Sequence, residues 1–226
     1  YYILGAIIEE ITGKSYAQVV KENIFDPLGM KNSGYFYNET LIEKRASGYT
    51  LGKDELENAA LIDFNMGFSA GALYSTVEDL YLWDRALYSQ KLVHKPWLDS
   101  LFKDHKNKFG YGWFIDDWFG KKCIHHSGGV NGFSTHIARM VNDDICLITL
   151  LNYDFGAAAR INRAIAAILL GEKYELPKLY KEVPVEEAIL KKYEGEYELT
   201  PEFKFVVTCD KGKLYCQATG QPQFRI

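Results

Sequence analysis

The chain has 226 residues, 47% of them apolar and 25% charged, and a formal net charge of −4. That length holds one large domain or a medium domain with a small appendage, and the acidic balance offers no electrostatic footprint for nucleic acid. The longest apolar runs, Ile145–Leu151 and Ala164–Leu170, are far too short to span a bilayer.

Taken in chain order, Tyr1–Thr12 carries Ile3, Leu4, Ile7, Ile8 and Ile11 at helical spacing, with Gly13 where a helix-ending glycine belongs. Ser15 opens a second helix, Gln18 completes a capping box, and Asp26-Pro27 predicts its end near Phe25. Pro27–Met30 reads as a turn, and residues 31–58 as loop with short strands. The small-residue segment Gly67–Leu73 feeds a helix capped by Ser75, with Glu78 three residues on. Lys95–Lys103 reads as a short helix with Pro96 in its first turn.

The period then changes to strands: Phe109–Ile115, Trp118–His126, Phe133–Val141 and Ile145–Leu151. Asp116-Asp117, Gly128–Gly132 and Asn142–Asp144 are the turn signals between them. Such short connections imply antiparallel neighbours. Phe155–Leu170 reads as an apolar helix that needs a sheet face to lie on. Composition shifts at Gly171, so the expected organisation is a first domain over residues 1–170, a linker over 171–184 and a small β-rich appendage over 185–226. In the appendage, Val185–Tyr193 reads as a helix, and Tyr193–Leu199, Lys204–Cys209 and Lys213–Ala218 as strands. The chain begins at Tyr1 with no Met and no signal-like segment, which reads as a mature form or a piece of a longer chain and leaves the compartment open. Cys123, Cys146, Cys209 and Cys216 form no Cys-x-x-Cys pair. They read as buried free thiols, with a disulfide across a Cys209–Cys216 hairpin as the alternative.

Five motifs in order carry a resemblance: Tyr2-Ile3-Leu4-Gly5-Ala6-Ile7-Ile8-Glu9, Ile24–Met30, Ser69–Leu80, Tyr111-Gly112-Trp113, and His126-Ser127-Gly128-Gly129 through Gly132-Phe133. They are similar to the serine β-lactamase and penicillin-binding-protein family, in its class C β-lactamase and esterase branch. Tyr193-Glu194-Gly195-Glu196-Tyr197 resembles the start of a small β-domain often appended to that family. The resemblance implies an α/β (α+β) fold, an antiparallel sheet covered by helices, here N-terminally truncated and followed by the β-rich appendage. It also implies acyl transfer through a serine ester, which needs Ser-x-x-Lys, then Tyr-x-Asn or Ser-x-Asn, then a third motif on an inner strand. His126-Ser127-Gly128 matches the third. Neither Tyr-x-Asn nor Ser-x-Asn occurs, and the lone Ser-x-x-Lys, Ser100–Lys103, is out of order.

The residues expected to carry function follow from that match. Gly129 would offer a backbone N–H to an oxyanion, and His126 would contact a substrate carboxylate or join a proton network. Ser127, Gly128, Asn152 and Tyr111 are expected to face the substrate. His125 points to the opposite face of the strand from His126, so a zinc site on His125, His126 and His136 is disfavoured. No metal or cofactor is implied. The third-motif histidine, where lysine also occurs in the family, favours a D-peptidase or esterase over a β-lactamase, on a small-molecule or peptide substrate. The chain by itself is expected to be catalytically silent. The alternative is a non-enzymatic module binding peptidoglycan-like or peptide ligands. Ile3, Ile7 and an open sheet edge would expose apolar surface that invites association between copies.

Overall fold

A computed structural model describes residues 1–52, 55–63, 66–174, 176 and 183–226. Contacts divide the chain into two compact units, Tyr1–Gly48 with Ala59–Glu175 and Tyr49–Asn58 with Leu176–Ile226. The segment 49–58, expected in the first domain, thus groups with the C-terminal residues. Half of the expected linker 171–184, including Pro177, lies outside the described residues.

Helix α1 (Tyr2–Thr12) closes on Gly13. In α2 (Tyr16–Val20) the Ser15 hydroxyl accepts the Gln18 N–H at 3.2 Å. The Gln18 side chain donates onward to Glu22, so only half of the capping box forms. The helical path does not end at Phe25. It widens into a π-helical turn over Lys21–Phe25 and continues as α3 (Asp26–Leu28). The wide turn lets Asp26 and Met30 donate to the carbonyls of Lys21 and Phe25, five residues back. Pro27, which has no N–H to give, falls in the first turn of α3, where none is required.

Strand β1 (Gly34–Tyr35) follows, then β2 (Tyr49–Leu51) and β3 (Leu56–Asn58), a hairpin of the second unit. Helix α4 (Phe68–Gly71) leads into β4 (Leu73–Tyr74), which pairs with β1. Helix α5 (Val77–Ala86) is capped by Thr76, whose Oγ1 accepts the Asp79 N–H, and not by Ser75. Ser75 is drawn sideways instead, its Oγ lying 2.7 Å from that of Ser33, which in turn donates to Asp79. Helix α6 spans Lys95–Leu101.

The main sheet is an antiparallel meander of β5 (Phe114–Trp118), β6 (Lys121–Val130), β7 (Phe133–Met140) and β8 (Ile145–Leu151). Its first turn is not at Asp116-Asp117, which pair with Cys123 and Lys122 inside the ladder. The chain reverses at Phe119-Gly120, both at positive φ, as a two-residue hairpin demands. Residues 109–113 precede the strand rather than form it. Helix α7 (Ala158–Leu170) covers one face, burying Trp118, Cys123, Ala138, Met140 and Leu147 against Ala166. On the other face Ile124 and Trp113 pack with Leu87 and Leu98, beneath α5 and α6. Arg139, fully buried on that face, donates Nε to the equally buried Asp84 of α5, and Arg85 donates to the other carboxylate oxygen. Breaking such a pair strands a charge in the interior.

Under α7 a polar chain crosses the sheet. Thr149 donates to Asn162 Oδ1 at 2.6 Å, and Asn162 Nδ2 lies 2.9 Å from His136 Nδ1. His136 Nε2 lies 3.2 Å from His125 Nδ1, and His125 Nε2 lies 3.3 Å from Asp116 Oδ2. Because the Asn162 amide nitrogen can only donate, the tautomers are determined: His136 carries its proton on Nε2 and His125 on Nε2, all pointing toward Asp116. Burial, reinforced by the neighbouring imidazoles His125 and His126, pushes the His136 pKa down to about 4.

The second unit also contains α8 (Glu187–Leu190) and a sheet ordered β12-β11-β10-β9, with β9 (Gly195–Thr200), β10 (Phe203–Asp210), β11 (Lys213–Ala218) and β12 (Phe224–Arg225). The β12 strand was not expected from sequence. Cys209 stands opposite Leu214 and Cys216 opposite Val207, and all four cysteines are free thiols, so the disulfide alternative is set aside. Among the described residues no helix is long and apolar enough to cross a membrane.

Two outcomes follow from these packings. A Cβ on Gly132, at φ 80°, would meet Gly48 Cα at 2.6 Å and Ala59 Cβ at 2.7 Å, whereas Gly156 at φ 59° has open space. Gly132→Ala should therefore cost about 2–4 kcal/mol in denaturant unfolding, and Gly156→Ala about 1 kcal/mol. Equal costs would contradict the crowding. For His136 the unfolded chain takes up a proton near pH 6.5 while the folded chain resists until about pH 4. Stability should thus fall as pH drops through that window, by up to about 3 kcal/mol, and the fall should be shallower in His136→Gln. Parallel pH profiles for the two proteins would refute this assignment.

Candidate functional site

The far end of β6 sets the site. Strand β5 pairs with β6 only from Lys121 to His125, whereas β7 pairs with it out to Val130. Ile115 donates its N–H at 2.8 Å to Lys108 O, away from β6. Backbone groups alternate sides along an antiparallel strand, so Phe114 and Asp116 face β6, and residues 123, 125, 127 and 129 of β6 face the β5 side. Beyond His125 that side has no strand partner among the described residues. Ser127 and Gly129 therefore present N–H groups along an open edge.

The side chains sort by the same alternation. His126 and Gly128 lie on the face away from α7, and His125, Ser127 and Gly129 on the face toward it. Gly128 stands opposite Thr135 of β7, and a Cβ on Gly128 would collide with the Thr135 hydroxyl. Glycine is the residue that lets Thr135 lean across the ladder. Gly128, Gly129, Val130, Phe133 and Thr135 form one wall of a cavity of about 260 Å³, and Ser69–Gly71 with Leu73 form the other. The second wall is held by α1. A Cβ on Gly5 would strike the Ser69 side chain, and the Ser69 hydroxyl donates to the carbonyl of Tyr1 at 3.0 Å.

His126 sits beside this cavity and is tied down at both nitrogens. Nδ1 lies 2.6 Å from Ser127 O, which can only accept, so Nδ1 carries the proton. Nε2 lies 3.3 Å from the Tyr1 hydroxyl. The arrangement holds the imidazole between a carbonyl and a phenol, two residues along β6 from the cavity-lining Gly128. Gly112 approaches the Tyr1 hydroxyl from the other side, at 3.8 Å from where its Cβ would stand.

The remaining expected residues are placed elsewhere. Asn152 donates to Ser47 O at 2.9 Å, fastening the end of β8 to the segment that crosses over the β6–β7 turn. Tyr111 is largely exposed and packs on His105, with ring centroids 4.5 Å apart, and it does not line the cavity. Ser100 and Lys103 straddle the C-terminal end of α6, with neither side chain at the cleft. Burial pushes the Cys123 and Cys146 thiols up to about 12, which leaves them inert as nucleophiles near neutral pH. Among the described residues no group of three His, Cys, Asp or Glu side chains is arranged to hold a metal ion. Sequence reading missed Tyr1, Ser69 and Thr135. Thr135 was within reach, because the two-residue Asn131-Gly132 turn sets it opposite Gly128.

Comparison with known proteins agrees with this architecture. The sequence model of the Beta-lactamase family matches residues 1–171. Penicillin-binding protein 4* of Bacillus subtilis is 30% identical over 246 residues, a match covering 98% of this chain and 54% of that protein. The teichoic acid D-alanine hydrolase of Staphylococcus aureus is 24% identical, over 76% of this chain and 43% of its own length. The chain thus spans about half the length of these curated relatives. Among solved structures, the octameric penicillin-binding protein homologue from Pyrococcus abyssi superposes with a TM-score of 0.67 at 30% identity, covering 100% of this chain and 53% of that one. The D-amino acid amidase from Ochrobactrum anthropi shares the fold with a TM-score of 0.67 at 22% identity, covering 76% of this chain and 57% of that one. By its five ordered motifs, its helix-covered antiparallel sheet and these matches, the chain belongs to the serine β-lactamase and penicillin-binding-protein family.

Proposed function

We propose that this chain supplies the oxyanion-binding wall of a serine hydrolase that cleaves small D-amino-acid esters or peptides, and that by itself it binds such ligands without turning them over. The observation that carries the reading is the open N–H edge at Ser127 and Gly129 beside a cavity of about 260 Å³. During acyl transfer a carbonyl oxygen gains negative charge, and a fixed backbone N–H aimed at it stabilises that charge without reorganising. Gly129 is the donor in this reading, with Gly128 and Thr135 shaping the space for a single small acyl group. His126, held by Ser127 O and Tyr1, is the group placed to relay a proton near the substrate.

The D-amino-acid preference rests on the relatives, among them a teichoic acid D-alanine hydrolase, a D-aminopeptidase and a D-amino acid amidase. Silence of the isolated chain rests on the sequence. Tyr-x-Asn and Ser-x-Asn do not occur, and Ser100–Lys103 sits away from the cleft. Self-association through α1 belongs to the same proposal, since Ile3, Leu4, Ile7 and Ile11 are exposed and the Pyrococcus abyssi homologue is an octamer.

The test is a ¹⁵N NMR titration of the chain with D-alanine methyl ester and its L enantiomer. The expected result is saturable shifts of the Ser127 and Gly129 amides with the D ester, binding about fivefold or more weaker in Gly128→Ala, and no ester hydrolysis. Undisturbed Ser127 and Gly129 amides would overturn the oxyanion-wall reading. Hydrolysis by the purified chain, lost in His126→Ala, would overturn its silence.

A further inference from the structure

A second cavity, of about 480 Å³, opens on the same face of the main sheet, at the opposite end of β6 and β7 from the cleft. Its lining shares no residue with the cleft. Apolar side chains of Leu87, Leu98 and Phe102 make up much of its wall. At its floor lies Arg139, whose guanidinium sits 5.0 Å from the rings of both Phe102 and Tyr88, the latter a further wall residue.

The hydrogen bonding of that guanidinium is incomplete. Nε donates to the Asp84 carboxylate and Nη2 to the Asp84 carbonyl. Nη1 is buried and has no hydrogen-bond partner among the described residues. A buried guanidinium nitrogen carrying two unpaired N–H bonds is costly, and native structures hold very few such atoms without a partner. Lys122 comes to the same place from the neighbouring strand. Arg139 pairs with Ile124, so Lys122 is its diagonal neighbour on the same face, within reach of a long side chain. Lys122 Nζ donates to Phe102 O at 2.9 Å, which leaves two of its protons available. Lys95 at the rim is neutralised by Asp99, and Arg139 by Asp84. Counting those four groups with Lys122 leaves one positive charge.

We propose that this cavity is a binding site for a small monoanionic carboxylate with an apolar tail. Its carboxylate accepts from Lys122 Nζ above the buried Arg139 guanidinium, and its tail rests on Leu87, Leu98 and Phe102. One net positive charge suits a carboxylate better than a multiply charged phosphate, and the apolar wall gives the tail a partner that a free inorganic ion would lack. The site stands independently of the cleft's reading.

Benzoate is the probe, with benzamide as its neutral isostere and inorganic phosphate as the tail-less anion. Followed by thermal shift and by NMR of the arginine side chains, benzoate should raise the unfolding temperature saturably and move the Arg139 Nη signals. Benzamide and phosphate should do neither. Lys122→Glu, at an exposed position, should weaken benzoate about tenfold or more while leaving the circular dichroism spectrum unchanged. Arg139 itself is left intact, because its loss would strand Asp84. Equal binding of benzamide, indifference to Lys122→Glu, or no saturable benzoate response would each overturn the proposal.

Discussion

The site depends on one mismatch in strand length. Strand β6 runs ten residues, but its neighbour β5 accompanies it for only five, from Lys121 to His125. A strand edge inside a folded domain is ordinarily paired or covered, because unpaired N–H groups recruit other chains. Here the edge has no strand partner among the described residues where glycines bring the backbone close to a cavity, and it presents the N–H groups of Ser127 and Gly129. Everything around that edge serves to hold it in register. The Asn131-Gly132 turn is pinned by Asp154, which accepts the Gly132 N–H at 3.1 Å, and by the crowding of Gly48 and Ala59.

Two polar assemblies clamp the two faces of the same strands. On the α7 face, Thr149, Asn162, His136, His125 and Asp116 form a directional chain whose donors all point one way. On the other face, Arg139 and Asp84 join the central strand to α5. Both are expensive to bury, and both are worth having only if the geometry is unique. They restrict sliding of β7 past its neighbours, since a shift of one residue would turn His136 and Arg139 to the wrong faces. A well-defined register on β7 in turn keeps Thr135 opposite Gly128.

Much of this architecture was legible in the sequence, for reasons that differ by element. Strand β8 and helix α7 could be read directly because unbroken apolar runs end at clear turn residues. The opposite orientation of His125 and His126 followed from strand alternation alone. Other features were hidden because long-range partners decided them. Ser75 looks like a helix cap until Ser33 draws it away, and Asp116-Asp117 looks like a turn until Lys108 and His125 hold Asp116 in the ladder. Pro27 looks like a helix end because a π-helical turn leaves no simple mark in composition. At the site, the His126–Gly129 stretch stood out by its glycines, but Tyr1 and Ser69 are ordinary residues that gain meaning only when α1 packs against residues 68–71. Asn152 and Tyr111, singled out by resemblance, make contacts with Ser47 and His105 that composition does not announce.

The most direct test of the account is residue-resolved amide hydrogen exchange along β6. His125, covered by β5, and His126 and Gly128, covered by β7, should be protected to a similar degree. Ser127 and Gly129, between and beside them, should exchange faster by orders of magnitude. Uniform protection from His125 through Gly129 would show that the edge is closed and would contradict the account at its base.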